Sequence, residues 1–228
     1  MIEAVLFDLD ETLTDRSASI RGYAAVFSDD FASSLDRGNV TEVELAIASL
    51  DEDGYRPREE FYAALAEHLP WTTVPTASTI GEHWREWFPK NSVGRLGMHE
   101  TLAALAHSGR RLGIVTNGTE LTQSAKIEYL GLGKYVKVVV ISEAAGYKKP
   151  EPEIFWMALD GVGTGPEATV FVGDHPLKDV VGASDAGLKS VWFEGGKHAW
   201  PSDLDPPRYR IKALEELVTL IAAGLDAA

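Results

Sequence analysis

Apolar residues along this chain fall into two patterns. Short, nearly continuous runs at Ala4–Leu9, Leu112–Thr116, Val136–Ile141, Thr169–Val172 and Ser190–Phe193 read as strands. Their β-branched, unbroken character suits strands covered on both faces, as in a parallel sheet. Between them, apolar positions recur three and four apart. That spacing predicts helices over His99–His107, Leu121–Tyr129, Glu153–Leu159, Val180–Ala186 and Ala213–Ala222. Strand and helix alternate, so the predicted fold is α/β with a doubly wound parallel sheet.

One stretch breaks the alternation. From Ser17 to Gly97 there is no good strand run, and Arg21–Leu35, Thr41–Ser49, Arg58–His68 and Thr79–Phe88 read as helices. A helical segment of that length is too long for an ordinary crossover. The expected organisation is therefore a core of residues 1–16 and 98–228, with a helical insert at 17–97.

Composition narrows the function. The chain of 228 residues carries 21 basic and 35 acidic groups, a net charge of −14. Such an acid excess argues against nucleic-acid or anionic-membrane partners, which need positive surface. No apolar run approaches the roughly 20 residues that span a bilayer. The first residues lack the basic region of a secretory signal. The absence of cysteine removes disulfides, thiolate ligands and a thiol nucleophile. A cytoplasmic protein is the expectation. An anionic substrate would need a local positive centre.

Candidate chemistry gathers where strands end. In VLFDLDETLTD, Asp8 and Asp10 are two apart, so in extended chain their side chains face together. Open α/β sheets bind ligands at this edge. A hard divalent cation such as Mg²⁺ would offset the repulsion between the two carboxylates; a solvated acidic turn is the alternative reading. Asp174 ends the run TVFVGD, and Asp179 follows near a helix start, where a carboxylate is also favourable as a cap. Thr116, Asn117 and Gly118 close another strand before a helix, a setting that can hold an anionic oxygen. Lys148 and Lys149 precede Pro150, and Pro152 suits a first helical turn. A lysine held there can offer positive charge to a phosphate or to an attacking carboxylate; a solvated loop lysine is the alternative reading.

The ordered set DLDET, TNG, KKP and GDHPLKD resembles the four motifs of the haloacid dehalogenase superfamily, over nearly the whole chain. The resemblance implies a Rossmann-like sheet with an α-helical cap domain inserted between motifs one and two. TQSAKIEYLGL and KPEPEIF resemble the branch of small-metabolite phosphatases, including nucleotide and sugar-acid phosphatases. It further implies a Mg²⁺-dependent phosphatase acting on a small phosphorylated metabolite, as monomer or homodimer.

By that resemblance, Asp8 is the nucleophile and forms an aspartyl-phosphate. Asp10 protonates the leaving oxygen and then activates water. Mg²⁺ is held by the Asp8 carboxylate, the Asp10 carbonyl, Asp174 and Asp179. Thr116 and the Asn117 amide bind a phosphoryl oxygen. Lys149, next to Pro150, matches the motif lysine better than Lys148. A carboxylate of ordinary acidity is already ionised near pH 7, so Asp8 needs no base. A phosphomutase of the same fold, a dehalogenase and a non-catalytic binding protein stand as alternatives. The dehalogenase branch lacks an aspartate at the Asp10 position, and a binding protein would be expected to lose one of Asp8, Asp10, Lys149 or Asp174.

Other residues carry two readings each. His175 either tunes the site or serves the turn before Pro176. Trp71, Trp84 and Trp87 either pack the insert's core or stack on substrate. Arg21, Arg56 and Arg58 read as surface residues that could also meet an anion. Trp192 and Trp200 flank a Gly-rich loop that could close one edge of the site. Thr12 fits a supporting hydroxyl, and Asp15 the turn into the insert.

Overall fold

The computed structural model describes residues 1–36 and 40–225. The expected site residues all lie within them; residues 37–39 of the expected insert and 226–228 of the expected core fall outside. The chain divides into two compact units: Met1–Thr14 with the chain from Gly94 on, and Asp15–Val93. Among the described residues, no helix is long and apolar enough to cross a membrane.

The first unit is built on a parallel sheet. Its strands are β1 (Ala4–Phe7), β2 (Arg111–Thr116), β3 (Val136–Ile141), β4 (Thr169–Gly173), β5 (Lys189–Phe193) and β6 (Arg210–Ile211). Their spatial order is β3-β2-β1-β4-β5-β6, so the order reverses at β1. The pleat sorts the β1 side chains. Val5 and Phe7 join one core with Leu102, Leu105, Leu217 and Ile221, whereas Ala4 and Leu6 join another with Ile154, Phe155 and Ala158. Two apolar layers on opposite faces make the sheet doubly wound.

The edge strand departs from the expectation of cover on both faces. In β3, Val136 and Val138 are half-buried while Lys137 and Val139 are exposed. Having a neighbour on one side only, it alternates where β1 is buried throughout. Strand β6 has only two residues and follows a proline-rich stretch, so it leaves no run to detect.

The second unit is helical, as the periodicity predicts: α1 (Arg16–Asp30), α2 (Val40–Asp51), α3 (Arg58–His68) and α4 (Ala77–Trp87). Helix α1 begins five residues before its expected start, because the Asp15 side chain accepts from the Ala18 N–H at 2.9 Å and caps it. Trp84 lies buried in this unit's core, stacked 4.1 Å from Phe88, with Trp71 and Trp87 packed at its margin. Arg21 is exposed and pairs with Glu44, and Arg56 pairs with Glu52. Arg58 differs from its surface reading. It joins Arg16 on the fully buried carboxylate of Asp51, at 2.8 Å, with Arg16 at 2.6 and 2.7 Å.

The longer helices outside the insert, α5 (Met98–His107), α6 (Glu120–Tyr129), α7 (Pro152–Val162) and α8 (Glu216–Ala223), belong to the first unit. The helix expected at Val180–Ala186 is present but starts earlier, as a wide π-type turn at Pro176–Val181 that runs into an α-helical turn at Gly182–Asp185. His175 caps it: its Nδ1 accepts from the N–H groups of Leu177 and Lys178, both at 3.2 Å.

Candidate active site

Register delivers the carboxylates. Strands β1 and β4 pair in parallel with Phe7 opposite Val172, and Asp8 N–H donates to the Val172 carbonyl at 2.9 Å. Asp8 and Asp174 therefore leave neighbouring strands at the same edge, beside the reversal of strand order. After Asp8 the chain turns tightly, with Leu13 and Thr14 N–H both donating to the Leu9 carbonyl at 2.9 Å. Glu11 sits in that turn with a left-handed φ of 63°, a conformation that favours glycine. Arg95 holds it, with Nε 3.0 Å from the Glu11 carbonyl and a guanidinium contact to its carboxylate.

Lys149 stands at the centre. Its Nζ donates to Asp8 Oδ1 at 2.6 Å and to Asp179 Oδ1 at 2.7 Å, and all three side chains are buried. Lys148, its neighbour, is exposed. Burial works against the Lys149 ammonium, but Asp179 and Asp8 outweigh it and hold its pKa well above the usual lysine value. Asp8 shows the opposite balance. Burial pushes its carboxyl up to about 7, Lys149 pulls it down and Asp179 adds to the rise. Desolvation thus outweighs the ammonium beside it. Thr12 Oγ1 donates to Asp8 Oδ2 at 3.2 Å, the supporting hydroxyl anticipated for it.

The carboxylates fit a hard cation. One oxygen each from Asp8, Asp174 and Asp179 lie within 4.8 Å of one another. Asp174 Oδ2 is buried with no hydrogen-bond partner, and burial, then Asp8 and Asp179, raise its carboxyl to about 8. Crowded oxygen donors with an orphaned lone pair match what a divalent cation takes. The Asp10 carboxylate is directed elsewhere. It accepts from Lys126 Nζ at 2.7 and 2.8 Å and from Gln123 Nε2 at 3.0 Å, both residues on α6.

Glycines bring backbone close to these ligands. A Cβ on Gly173 would come within 2.5 Å of the Asp179 carboxyl carbon, and one on Gly196 within 2.7 Å of Asp174 Oδ2. The loop carrying Gly196 thus lies against Asp174, and Trp192 Nε1 donates to the Asp174 carbonyl at 2.9 Å. Trp200 meets the Trp192 ring edge-on at 5.3 Å. His175 N–H donates to Asp179 Oδ2 at 2.9 Å, and burial, with His198 and Lys178, lowers its imidazole to about 4. It is neutral near pH 7 and serves as a cap acceptor.

Thr116 ends β2 with its hydroxyl 2.6 Å from Gln123 Nε2. Asn117 clamps the lysine loop: its Oδ1 accepts from Lys149 N–H at 2.9 Å and its Nδ2 donates to the Lys149 carbonyl at 3.0 Å. Its side-chain amide is thereby committed to positioning Lys149.

Gln123 and Lys126 escaped the sequence reading. A signal existed: with Ile127 they are the buried residues of α6, at i, i+3 and i+4, so two polar groups occupy positions where apolar ones are expected.

The haloacid dehalogenase-like hydrolase model matches residues 5–193. The chain is 38% identical over 227 residues to the glyceraldehyde 3-phosphate phosphatase of Pyrococcus furiosus, covering 96% of this chain and 92% of that protein. It is 31% identical to the ribulose-1,5-bisphosphate 5-phosphatase of Halopiger xanaduensis, with 85% of each covered. The magnesium-bound HAD-hydrolase YfnB of Bacillus subtilis has a similar fold, with a TM-score of 0.75, 24% identity, and 96% of this chain and 98% of that one covered.

Proposed function

The chain belongs to the haloacid dehalogenase-like hydrolase family, and from that premise we propose that it is a Mg²⁺-dependent phosphatase of small sugar phosphates. It is a hydrolase of the phosphatase kind, like the curated relatives that match nearly its whole length. Their action on glyceraldehyde 3-phosphate and ribulose 1,5-bisphosphate supports a small phosphorylated sugar as substrate. Residues 17–97, the helical insert, are assigned the part of a substrate-selecting cap domain. The cytoplasm is the assigned compartment.

The observation that carries the reading is Lys149 bound at once to Asp8 and Asp179, beside the orphaned oxygen of Asp174. In the proposed reaction, an Asp8 carboxylate oxygen attacks phosphorus and the bond to the leaving oxygen breaks. Asp10 gives its proton to that oxygen. Water then attacks the aspartyl-phosphate, Asp10 takes the water's proton, and phosphate leaves with Asp8 restored. Lys149, Thr116 and the Asn117 backbone amide hold phosphoryl oxygens, and the Asn117 side chain fixes the Lys149 backbone. Asp8, Asp174, Asp179 and the Asp10 carbonyl would hold Mg²⁺, which would neutralise phosphoryl charge and favour ionised Asp8.

The test uses p-nitrophenyl phosphate and glyceraldehyde 3-phosphate. Phosphate release should vanish on chelation, return with added Mg²⁺, and fall to background in Asp8→Asn with the fold intact by circular dichroism. Full activity under chelation rejects the metal. Full activity in the variant rejects the nucleophile.

A further inference from the structure

Helix α6 places two buried polar side chains behind the proposed reacting groups. Lys126 and Gln123 are 3% and 2% exposed, three residues apart, and so on one helix face. The Asp10 carboxylate accepts at least four hydrogen bonds. Lys126 Nζ reaches Oδ1 at 2.7 Å and Oδ2 at 2.8 Å, Gln123 Nε2 reaches Oδ2 at 3.0 Å, and Thr14 Oγ1 reaches Oδ1 at 3.3 Å. The same Gln123 Nε2 also donates to Thr116 Oγ1 at 2.6 Å. A primary amide has two N–H hydrogens, so both are used. A hydroxyl that already receives a hydrogen bond keeps its own hydrogen to give. Thr116 is therefore set as a donor: its hydrogen now makes only a long contact, 3.5 Å, to the Asn117 carbonyl, which a phosphoryl oxygen would replace. Gly118 makes room for this arrangement, since a Cβ there would lie 3.0 Å from Gln123 Cγ.

We propose that Lys126 and Gln123 are positioning residues for phosphoryl transfer. Lys126 fixes the direction of the Asp10 carboxylate. Gln123 couples Asp10 to Thr116 and keeps the Thr116 hydroxyl in the donor role, able to turn from the Asn117 carbonyl to substrate. The inference rests on Asp10 as the proton carrier and Thr116 as a phosphoryl ligand. Burying an ammonium and an amide costs free energy unless they are fully paired, and here the pairing falls on two groups of the proposed chemistry. A purely structural tie between α6 and the turn after β1 is the competing account, and kinetics separate the two.

The measurement is kcat/KM for p-nitrophenyl phosphate and for glyceraldehyde 3-phosphate, in wild type, Asp10→Asn, Lys126→Met and Gln123→Met. The first substrate expels a stable phenolate that needs no proton; the second expels an alkoxide that does. Because kcat/KM covers steps up to the first irreversible one, it isolates proton delivery to the leaving group. Losing a positioned acid costs about 10²–10⁴-fold, so Asp10→Asn should lose that much on the sugar phosphate and far less on the aryl ester. Lys126→Met should lose at least about tenfold on the sugar phosphate and under about threefold on the aryl ester, a part of the same acid contribution. Gln123→Met should share the bias and also weaken inhibition by inorganic phosphate, which Lys126→Met should leave unchanged.

Equal losses on both substrates in Lys126→Met and Gln123→Met, with the bias kept in Asp10→Asn, overturn the positioning roles alone. No bias in Asp10→Asn overturns the proton carrier and the inference with it. If Lys126→Met fails to fold, Gln123→Met retains the Lys126–Asp10 pair and decides by its substrate bias and its phosphate inhibition.

Discussion

At the scale of single residues, two of the buried ion clusters among the described residues have different consequences. Lys149 sits between Asp8 and Asp179 beside a crowded, orphaned oxygen, and that cluster has capacity for a cation. Asp51 is satisfied: its carboxylate takes Arg16 through both oxygens and Arg58 through one. Burial raises the Asp51 carboxyl, but the hydrogen bonds and charges of Arg16, and then of Arg58, outweigh it and leave its pKa below the usual 3.8. Removing one partner of a buried pair costs about 3–5 kcal/mol because the other charge is stranded, so Asp51→Asn should destabilise the helical unit by that order. The pH dependence has a fixed sign. A depressed folded pKa means the unfolded chain binds more protons, so the stabilisation is complete above 3.8 and lost as pH falls through the lower folded value. Urea unfolding of wild type and variant should show a gap that is constant from neutral pH down to about 5 and closes in stronger acid. A gap that persists unchanged below the folded value would show that the ion pairs are not its source.

At the scale of elements, legibility followed burial. Strands β1, β2 and β4 lie within the sheet, and their residues form unbroken apolar runs that the sequence displays directly. Helix ends were less legible because capping groups decide them: Asp15 advances α1, and His175 opens the π-type turn. Asp8 and Asp174 stood out as charges at strand ends, and Lys149 through the resemblance of KKP to a family motif. Gln123 and Lys126 did not, because on a helix their types read as solvated surface and only the fold buries them. The glycine at the end of β4 was equally silent. Its φ is unremarkable, yet a Cβ there would collide with Asp179. Gly173→Ala should therefore displace Asp179 from Lys149 and from the other carboxylates. Its expected signature is weaker Mg²⁺ binding by calorimetry and a raised Mg²⁺ requirement for activity, exceeding any fall in thermal stability. A variant with wild-type Mg²⁺ affinity would mean that the β4 turn yields instead of the carboxylate.

At the scale of the whole molecule, the charge problem posed by the sequence has an electrostatic answer with a measurable consequence. A net charge of −14 repels an anionic sugar phosphate at long range, while Lys149 attracts its phosphoryl group only at contact. Salt treats the two differently. The screening length is about 30 Å at 0.01 M and about 8 Å at 0.15 M, so added monovalent salt removes the repulsion from the bulk of the molecule and leaves buried contact pairs nearly intact. With free Mg²⁺ held constant, raising salt across that range should increase kcat/KM for glyceraldehyde 3-phosphate by a few-fold, chiefly through KM. Binding governed by an extended positive surface would behave in the opposite way and weaken with salt. A falling kcat/KM would therefore show that the approach to the site is positively charged despite the global excess of acid, and that the local centre reaches well beyond Lys149 and the bound cation.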